Sequence, residues 1–292
     1  MMYLSTSTSI MGSIPGTKNR YTTEQSLEAI KKAGYDHADV SLWSLCGHGG
    51  LIDSDDWECS VEAIAEKSAE LGLPVYQTHG NTHSGLEWDD PAFPDHDYID
   101  MTNMRCLKAT KMLGAHWMVM HPYNLPHEKL YSRARGLEVN LEKFAPFIEE
   151  AKRLGIGIAI ENMVDFSRRR RRYCGGDIFE LIELVDTIGD PAVGICYDTG
   201  HANESGMDTA EGIRAACKRI KCLHINDNRG VNDEHIVPYF GTIKWADTVH
   251  ALKEIGYEGD FAYEIGSKNI PAECREEWLK YTAELGRKLM AL

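Results

Sequence analysis

The sequence has no apolar run near the roughly 20 residues that a membrane-spanning helix needs, so no membrane partner is expected. It has no CxxC pair. Its 8 cysteines are scattered, and some, such as Cys196 and Cys222, sit in apolar runs. That distribution argues against a disulfide framework and predicts buried, reduced thiols in a cytoplasmic protein. Positive charge is scarce: 31 Lys and Arg stand against 45 Asp and Glu, a net charge of −14. A field of that sign repels a nucleic-acid backbone on average, so no nucleic-acid partner is expected either. The glycines of SIMGSIPGTKN, after the first apolar run, lack the spacing of a dinucleotide-binding turn, which weakens the case for an open doubly wound sheet. The N-terminal MMYLSTSTSIMGSIPG has neither a basic n-region nor a continuous apolar h-region. It is read as a first strand, not a secretory signal.

What is present is an ordinary globular composition, 43% hydrophobic and 26% charged over 292 residues. That length suits one α/β barrel, and no linker divides it, so residues 1–292 are expected to form a single domain. Short apolar runs start at Tyr3, Ala38, Pro74, Ala115, Ile156, Ala192, Ile220 and Asp260. Helical patterns lie between them. TEQSLEAIKKAGY opens with a Thr cap and ends at Gly34, SVEAIAEKSAELGL ends at Gly72, LEKFAPFIEEAKRLG ends at Gly155, and DIFELIELVDTIG starts at Asp177 and ends at Gly189. Eight such alternations predict a parallel sheet closed into a (β/α)8 TIM barrel. An amphipathic segment from Glu273 onward is expected to cover the barrel.

The polar residues at the strand ends carry the functional signal. Six successive runs end on or near His79, His121, Glu161, Asp198, His224 and Glu264, with His201 following Asp198 and Asp227 following His224. A strand buried on both faces should be apolar, and in a barrel these ends converge on the rim where such enzymes place their chemistry. Taken singly, a strand-end His is more often a hydrogen-bonded structural residue, and a lone Glu can pair with an arginine. Taken together, the set would bury several charges at a cost of several kcal/mol each. A bound divalent cation removes that cost. Carboxylate and imidazole ligands in an oxygen-rich set favour manganese, with magnesium, cobalt or zinc as alternatives, over a closed thiolate zinc site.

The motifs IENM (from Ile160), YDTGHAN (from Tyr197), LHINDNRG (from Leu223), DEHIVPYFGTIKW (from Asp233) and YEI (from Tyr263) resemble the xylose-isomerase-like barrel superfamily. That superfamily contains sugar-phosphate isomerases and epimerases, keto-sugar 3-epimerases, hydroxypyruvate isomerases, inosose dehydratases and apurinic-site endonucleases. The resemblance implies one divalent cation held by Glu161, Asp198, His224 and Glu264, with Glu161 and Glu264 as the acid/base pair for a carbohydrate substrate. The proton they move lies α to a carbonyl, and the metal would stabilise the enediolate. It also implies substrate contacts from His79, His121, His201 and His235, an additional metal-ligand candidate in Asp233, and a possible homo-oligomer. Two alternatives use the same residues. One is an inosose-dehydratase-like lyase, which shares the α-proton abstraction. The other is a trinuclear-zinc, apurinic-endonuclease-like phosphodiesterase, for which His79, His121, Glu161, Asp198, His201, His224, Asp233, His235 and Glu264 form a full candidate set. Net charge and the lack of basic and aromatic residues spread over several rim loops argue against the second.

Arg229, just after HINDN, is a candidate anion contact for the substrate, and a loop salt bridge is its plain alternative. The run Arg168 to Arg172 is read either as phosphate or carboxylate recognition or as a solvated loop. Trp43, Trp57 and Trp88 are candidate pocket walls or interface residues.

Overall fold

The computed structural model describes residues 2–14, 17, 20–82, 95–124, 131–164 and 173–292. Its strands are β1 (Tyr3–Ser7), β2 (His37–Ser41), β3 (Val75–His79), β4 (Trp117–Met120), β5 (Gly157–Glu161), β6 (Val193–Asp198), β7 (Ile220–His224) and β8 (Asp260–Tyr263). Each falls within or beside an expected apolar run. Strands β1 to β7 pair in parallel with their sequence neighbours, and β8 returns to pair with β1. A parallel bridge between Ile225 and Tyr263 closes the β7–β8 seam. The Ile225 N–H donates to the Ala262 carbonyl at 2.7 Å there, and the Glu264 N–H donates to the Ile225 carbonyl at 3.1 Å. The result is the expected (β/α)8 TIM barrel.

The helices are α1 (Thr23–Ala33), α2 (Trp57–Leu71), α3 (His96–Met112), α4 (Arg133–Leu154), α5 (Ile178–Ile188), α6 (Thr199–Glu204), α7 (Thr209–Ala216), α8 (Trp245–Glu254) and α9 (Arg275–Met290). Their ends follow local chemistry. Thr22 and Gln25 form a reciprocal capping box at the start of α1. Asp177 caps α5 through the Phe179 N–H. Gly34, Gly72, Gly155 and Gly189 stop α1, α2, α4 and α5 in the left-handed conformation. Among the described residues no helix is long and apolar enough to cross a membrane.

Two expectations need correction. The run YLSTSTSI from Tyr3 predicts a first strand through Ile10, but the strand stops at Ser7. The Ser7 hydroxyl accepts the Ser9 N–H and turns Thr8–Met11 into a 3-10 helix. Helix α4 starts at Arg133, eight residues before the expected Leu141, because Ser132 caps it through the Arg135 N–H. The arginine run 168–172 and Trp88 lie outside the described residues.

Most of the apolar core lies between barrel and helices. Inside the barrel the walls differ. Val119, Ala159, Cys196 and Cys222 form a small apolar cluster on β4 to β7. The facing strands β1 to β3 contribute the buried polar residues Ser5, Asp39 and Gln77. The inward positions continue, two residues on, into the rim.

Candidate metal centre

Strand length sets the site. His79, Glu161, Asp198 and His224 are each the last residue of their strand, while His121 and Glu264 directly follow β4 and β8. Side chains alternate across a strand, so a terminal residue two positions beyond an interior one points the same way. The rim therefore gathers Glu161, Asp198, His224 and Glu264 with ligand-type atoms all within 4.8 Å of one another.

Glu161 is the hub. Its carboxylate lies 2.9 Å from His224 Nδ1, 3.2 Å from His121 Nε2, 3.3 Å from His79 Nε2 and 3.5 Å from His201 Nδ1. Burial alone would raise its pKa, but His224, His121 and His79 hold it well below the usual carboxylate range. Glu264 Oε2 sits 3.2 Å from the same His224 Nδ1. The two glutamates thus meet at one imidazole nitrogen. Asp198 caps α6: its Oδ1 accepts the His201 N–H at 2.7 Å, and its Oδ2 accepts from the Asn226 amide at 2.8 Å. Burial pushes its pKa up to about 6.

That cap explains the DTGH spacing. Asp198 ends β6 and caps α6, so His201 turns back toward it after less than one helical turn. Gly200 is required because a Cβ there would lie 1.8 Å from Asn226 Oδ1.

Further ligand-type groups adjoin the four-residue set. His79 and His121 gather with Glu161, His79 also gathers with His224 and Glu264, and Asp233 joins His201 with His235. The β7–α8 loop delivers the last pair. It wraps around Asp227, whose buried carboxylate accepts backbone N–H groups of Tyr239, Gly241 and Thr242 at 3.0, 3.2 and 3.1 Å. It also accepts the Trp245 indole N–H at 2.9 Å. Asp233 Oδ2 then meets His235 Nε2 at 2.9 Å and His201 Nε2 at 3.5 Å. The two imidazoles hold Asp233 well below its ordinary pKa against the opposing effect of burial. Burial also opposes the imidazolium of His235, yet Glu264 and Asp233 push its pKa up to about 10.

The histidine tautomers show what this arrangement suits. A carbonyl oxygen only accepts, so a ring nitrogen bonded to one must carry the proton. His79 Nδ1 donates to the Gly80 carbonyl at 3.0 Å, His201 Nδ1 to Asn162 at 2.8 Å, and His235 Nδ1 to Glu264 at 2.8 Å. A neutral ring in this setting turns the lone pair of Nε2 toward a carboxylate 2.9 to 3.5 Å away, which is repulsive unless a proton or a metal ion lies between. Backbone-locked imidazoles around shared carboxylates are what a metal site requires. The residues present fit a divalent cation at Glu161, Asp198, His224 and Glu264, three carboxylates and an imidazole with ligand-type atoms within 4.8 Å of one another.

The remaining candidates lie apart. Arg229 is paired with Glu234 in its own loop, and its side chain is 61% exposed. Trp43 carries the Arg20 guanidinium 5.5 Å above its ring, and Trp57 is buried with Arg105 beside it. Sequence reasoning assigned no role to Asn162, which clamps β6 from both sides: its Oδ1 accepts the Asp198 N–H and its Nδ2 donates to the Asp198 carbonyl. Its position directly after Glu161 was the available signal. Asp227 was visible at its strand end, but not as the anchor of the loop that brings in Asp233 and His235.

Fold and site together define a (β/α)8 barrel with a carboxylate–imidazole centre at the C-terminal rim. The sequence profile of the family described as "Xylose isomerase-like TIM barrel" matches residues 27–289. The chain belongs to that family. A D-psicose 3-epimerase of Enterocloster bolteae is 30% identical over 241 residues, covering 80% of this chain and 73% of that protein. An uncharacterised protein of Methanocaldococcus jannaschii is 33% identical over 184 residues, 61% of this chain and 60%, less than two thirds, of its own length. A probable endonuclease 4 of Methanoculleus marisnigri is 28% identical over 160 residues, 48% of this chain and 53% of that one. Among solved structures, a D-tagatose 3-epimerase-like protein shares the fold with a TM-score of 0.75 at 24% identity, covering 98% of this chain and 99% of that one.

Proposed function

We propose that the protein is a divalent-metal-dependent isomerase or epimerase of a sugar or sugar phosphate. The observation that carries this reading is the convergence of Glu161 and Glu264 on His224 Nδ1, at 2.9 and 3.2 Å, with Asp198 completing the group. Similarity to a protein named as a D-psicose 3-epimerase supports the substrate class.

The roles follow from what each group has free. Both Asp198 oxygens already accept hydrogen bonds from the protein, which fix the carboxylate in the orientation of a metal ligand. A base must be ionised, and the surrounding imidazoles keep Glu161 so. Glu264, its side chain 19% exposed, opens toward the rim. One glutamate takes the proton from the carbon next to the substrate carbonyl, and the other returns one. His201 and His235 line the same space and orient hydroxyls. When bound, the metal polarises the substrate oxygens and stabilises the negative charge that builds there. The natural ion is expected to be manganese.

The test is solvent-deuterium exchange into a panel of ketohexoses and ketopentoses, free and phosphorylated, by manganese-loaded protein. Incorporation at a carbon next to the carbonyl, lost in Glu264→Gln, supports the reading. No exchange with any member of the panel rejects it.

One observation favours a second reading. Glu161 is only 1% exposed and is shared between two ligand-type groups, while His201, Asp233 and His235 form another. A carboxylate so placed can bridge two cations, as a multinuclear phosphodiesterase would need. Two or three zinc ions per chain together with cleavage of an abasic oligonucleotide would establish that function instead.

A further inference from the structure

Three of the rim histidines are held alike, and His224 is built differently. His79, His201 and His235 give Nδ1–H to a backbone carbonyl and present Nε2 to the rim. His224 reverses this, presenting Nδ1 to Glu161 and Glu264. Its Nε2 points down the barrel, is completely buried and has no hydrogen-bond partner within ordinary distance. For Nδ1 to offer a lone pair to a cation, Nε2 must carry the proton, and that proton needs an acceptor.

The acceptor in place is Asp39, on the inward face of β2. Its Oδ2 lies 3.6 Å from His224 Nε2. Asp39 is 1% exposed, and its Oδ1 has no hydrogen-bond partner. Gln77 steadies it from β3: one Gln77 amide donates both to Asp39 Oδ2 at 3.1 Å and to the Leu223 carbonyl at 3.2 Å. The clamp thus ties the carboxylate to the strand that carries His224. Cys196 also borders the ring, but burial pushes its thiol pKa up and keeps it neutral, and a neutral thiol is a weak acceptor.

We infer that Asp39 is a positioning residue that accepts the Nε2 proton of His224 and so commits Nδ1 to the metal, with Gln77 holding the carboxylate in register. This rests on the reading of Glu161, Asp198, His224 and Glu264 as the cation site. It makes a carboxylate–histidine–metal relay through the barrel interior, from β2 to β7, where the other three rings use backbone carbonyls. It also accounts for a buried carboxylate in the barrel interior that the rim chemistry does not otherwise use.

The experiment compares wild type with Asp39→Asn. An asparagine keeps the shape but loses the charge: Gln77 and His224 Nε2 face the same oxygen, so either Nε2 is left with a weaker, neutral acceptor or the amide turns its N–H toward it and favours the wrong tautomer. Manganese affinity by calorimetric titration is expected to fall about 10- to 100-fold, the range seen when such outer partners are lost. The melting temperature of the metal-free protein should change little. In zinc-loaded, 15N-labelled wild type, the His224 Nε2–H proton should be visible and protected from exchange, and in the variant it should vanish or exchange fast. Should Asp39→Asn fail to fold, Gln77→Leu tests the same relay with a smaller loss of affinity in the same direction. Unchanged affinity in a folded variant, or zinc on Nε2 of His224, overturns the role of Asp39 while leaving the cation site standing. A wild type that binds neither ion overturns both.

Discussion

The two mouths of the barrel use the same residue types to opposite ends. At the N-terminal mouth His37 opens β2 and Asp260 opens β8, and His37 Nδ1 bonds both carboxylate oxygens at 2.9 and 3.1 Å. One imidazole meets one carboxylate, and the pair fastens two strands. At the C-terminal rim Glu161 alone meets four imidazoles, and the rim nitrogens face carboxylates shared with other rings. A one-to-one pair satisfies itself. A shared cluster leaves lone pairs facing one another, and those are what a cation satisfies. Stoichiometry and the direction of the lone pairs, more than residue type, separate the structural pair from the candidate metal centre here.

Breaking the rim should cost activity first. Glu161→Gln and Glu264→Gln are each expected to lower deuterium exchange by about 10²- to 10⁴-fold or more. Circular dichroism should show the fold retained in both, and full activity in both variants would refute the acid/base assignment. Removing the metal comes next. A ligand at about 1,000 times its Kd stabilises by about 4 kcal/mol. Chelation should therefore lower the melting temperature by several degrees, and added manganese should restore it. The matching change at the other mouth, Asp260→Asn, should lower stability by about 1–3 kcal/mol in urea titration while leaving manganese affinity unaltered.

That mouth also has a pH signature. The hydrogen bond to Asp260 raises the His37 pKa, so folding binds the proton more tightly. The resulting stabilisation is complete below about pH 6.5, the unfolded value, and is lost as pH rises through the higher folded value. Burial raises the Asp260 pKa as well, and its effect on stability runs in the same direction. His37→Gln should flatten the fall in stability above pH 6.5. The smallest effect is expected at Arg229. Though it lies in a rim loop, it behaves as a self-satisfied pair with Glu234. Arg229→Ala should change stability by no more than about 0.5–1 kcal/mol and leave kcat/KM near wild type. A large rise in KM would instead restore it as a substrate contact.

Much of this contrast was legible in the order of residues. Alternating strands and glycine-stopped helices imply the barrel, because periodicity and capping are local. The rim positions of His79, His121, Glu161, Asp198, His224 and Glu264 follow from where apolar runs stop. Strand closure alone then brings them to one end. The extent of β1 and α4 was misjudged because single hydroxyls, Ser7 and Ser132, outweighed the hydrophobic pattern.

The sequence by itself determined the fold, the residue types at the rim and the family. The tertiary structure decided which atoms face which. It gave Glu161 to four histidines, turned three imidazoles outward and one inward, and set Asp39 beneath His224 at a separation of 185 positions along the chain. Local pattern reports which side of a strand a residue takes. Only closure of the barrel determines the distance across it, and hydrogen bonding of tautomers depends on that distance.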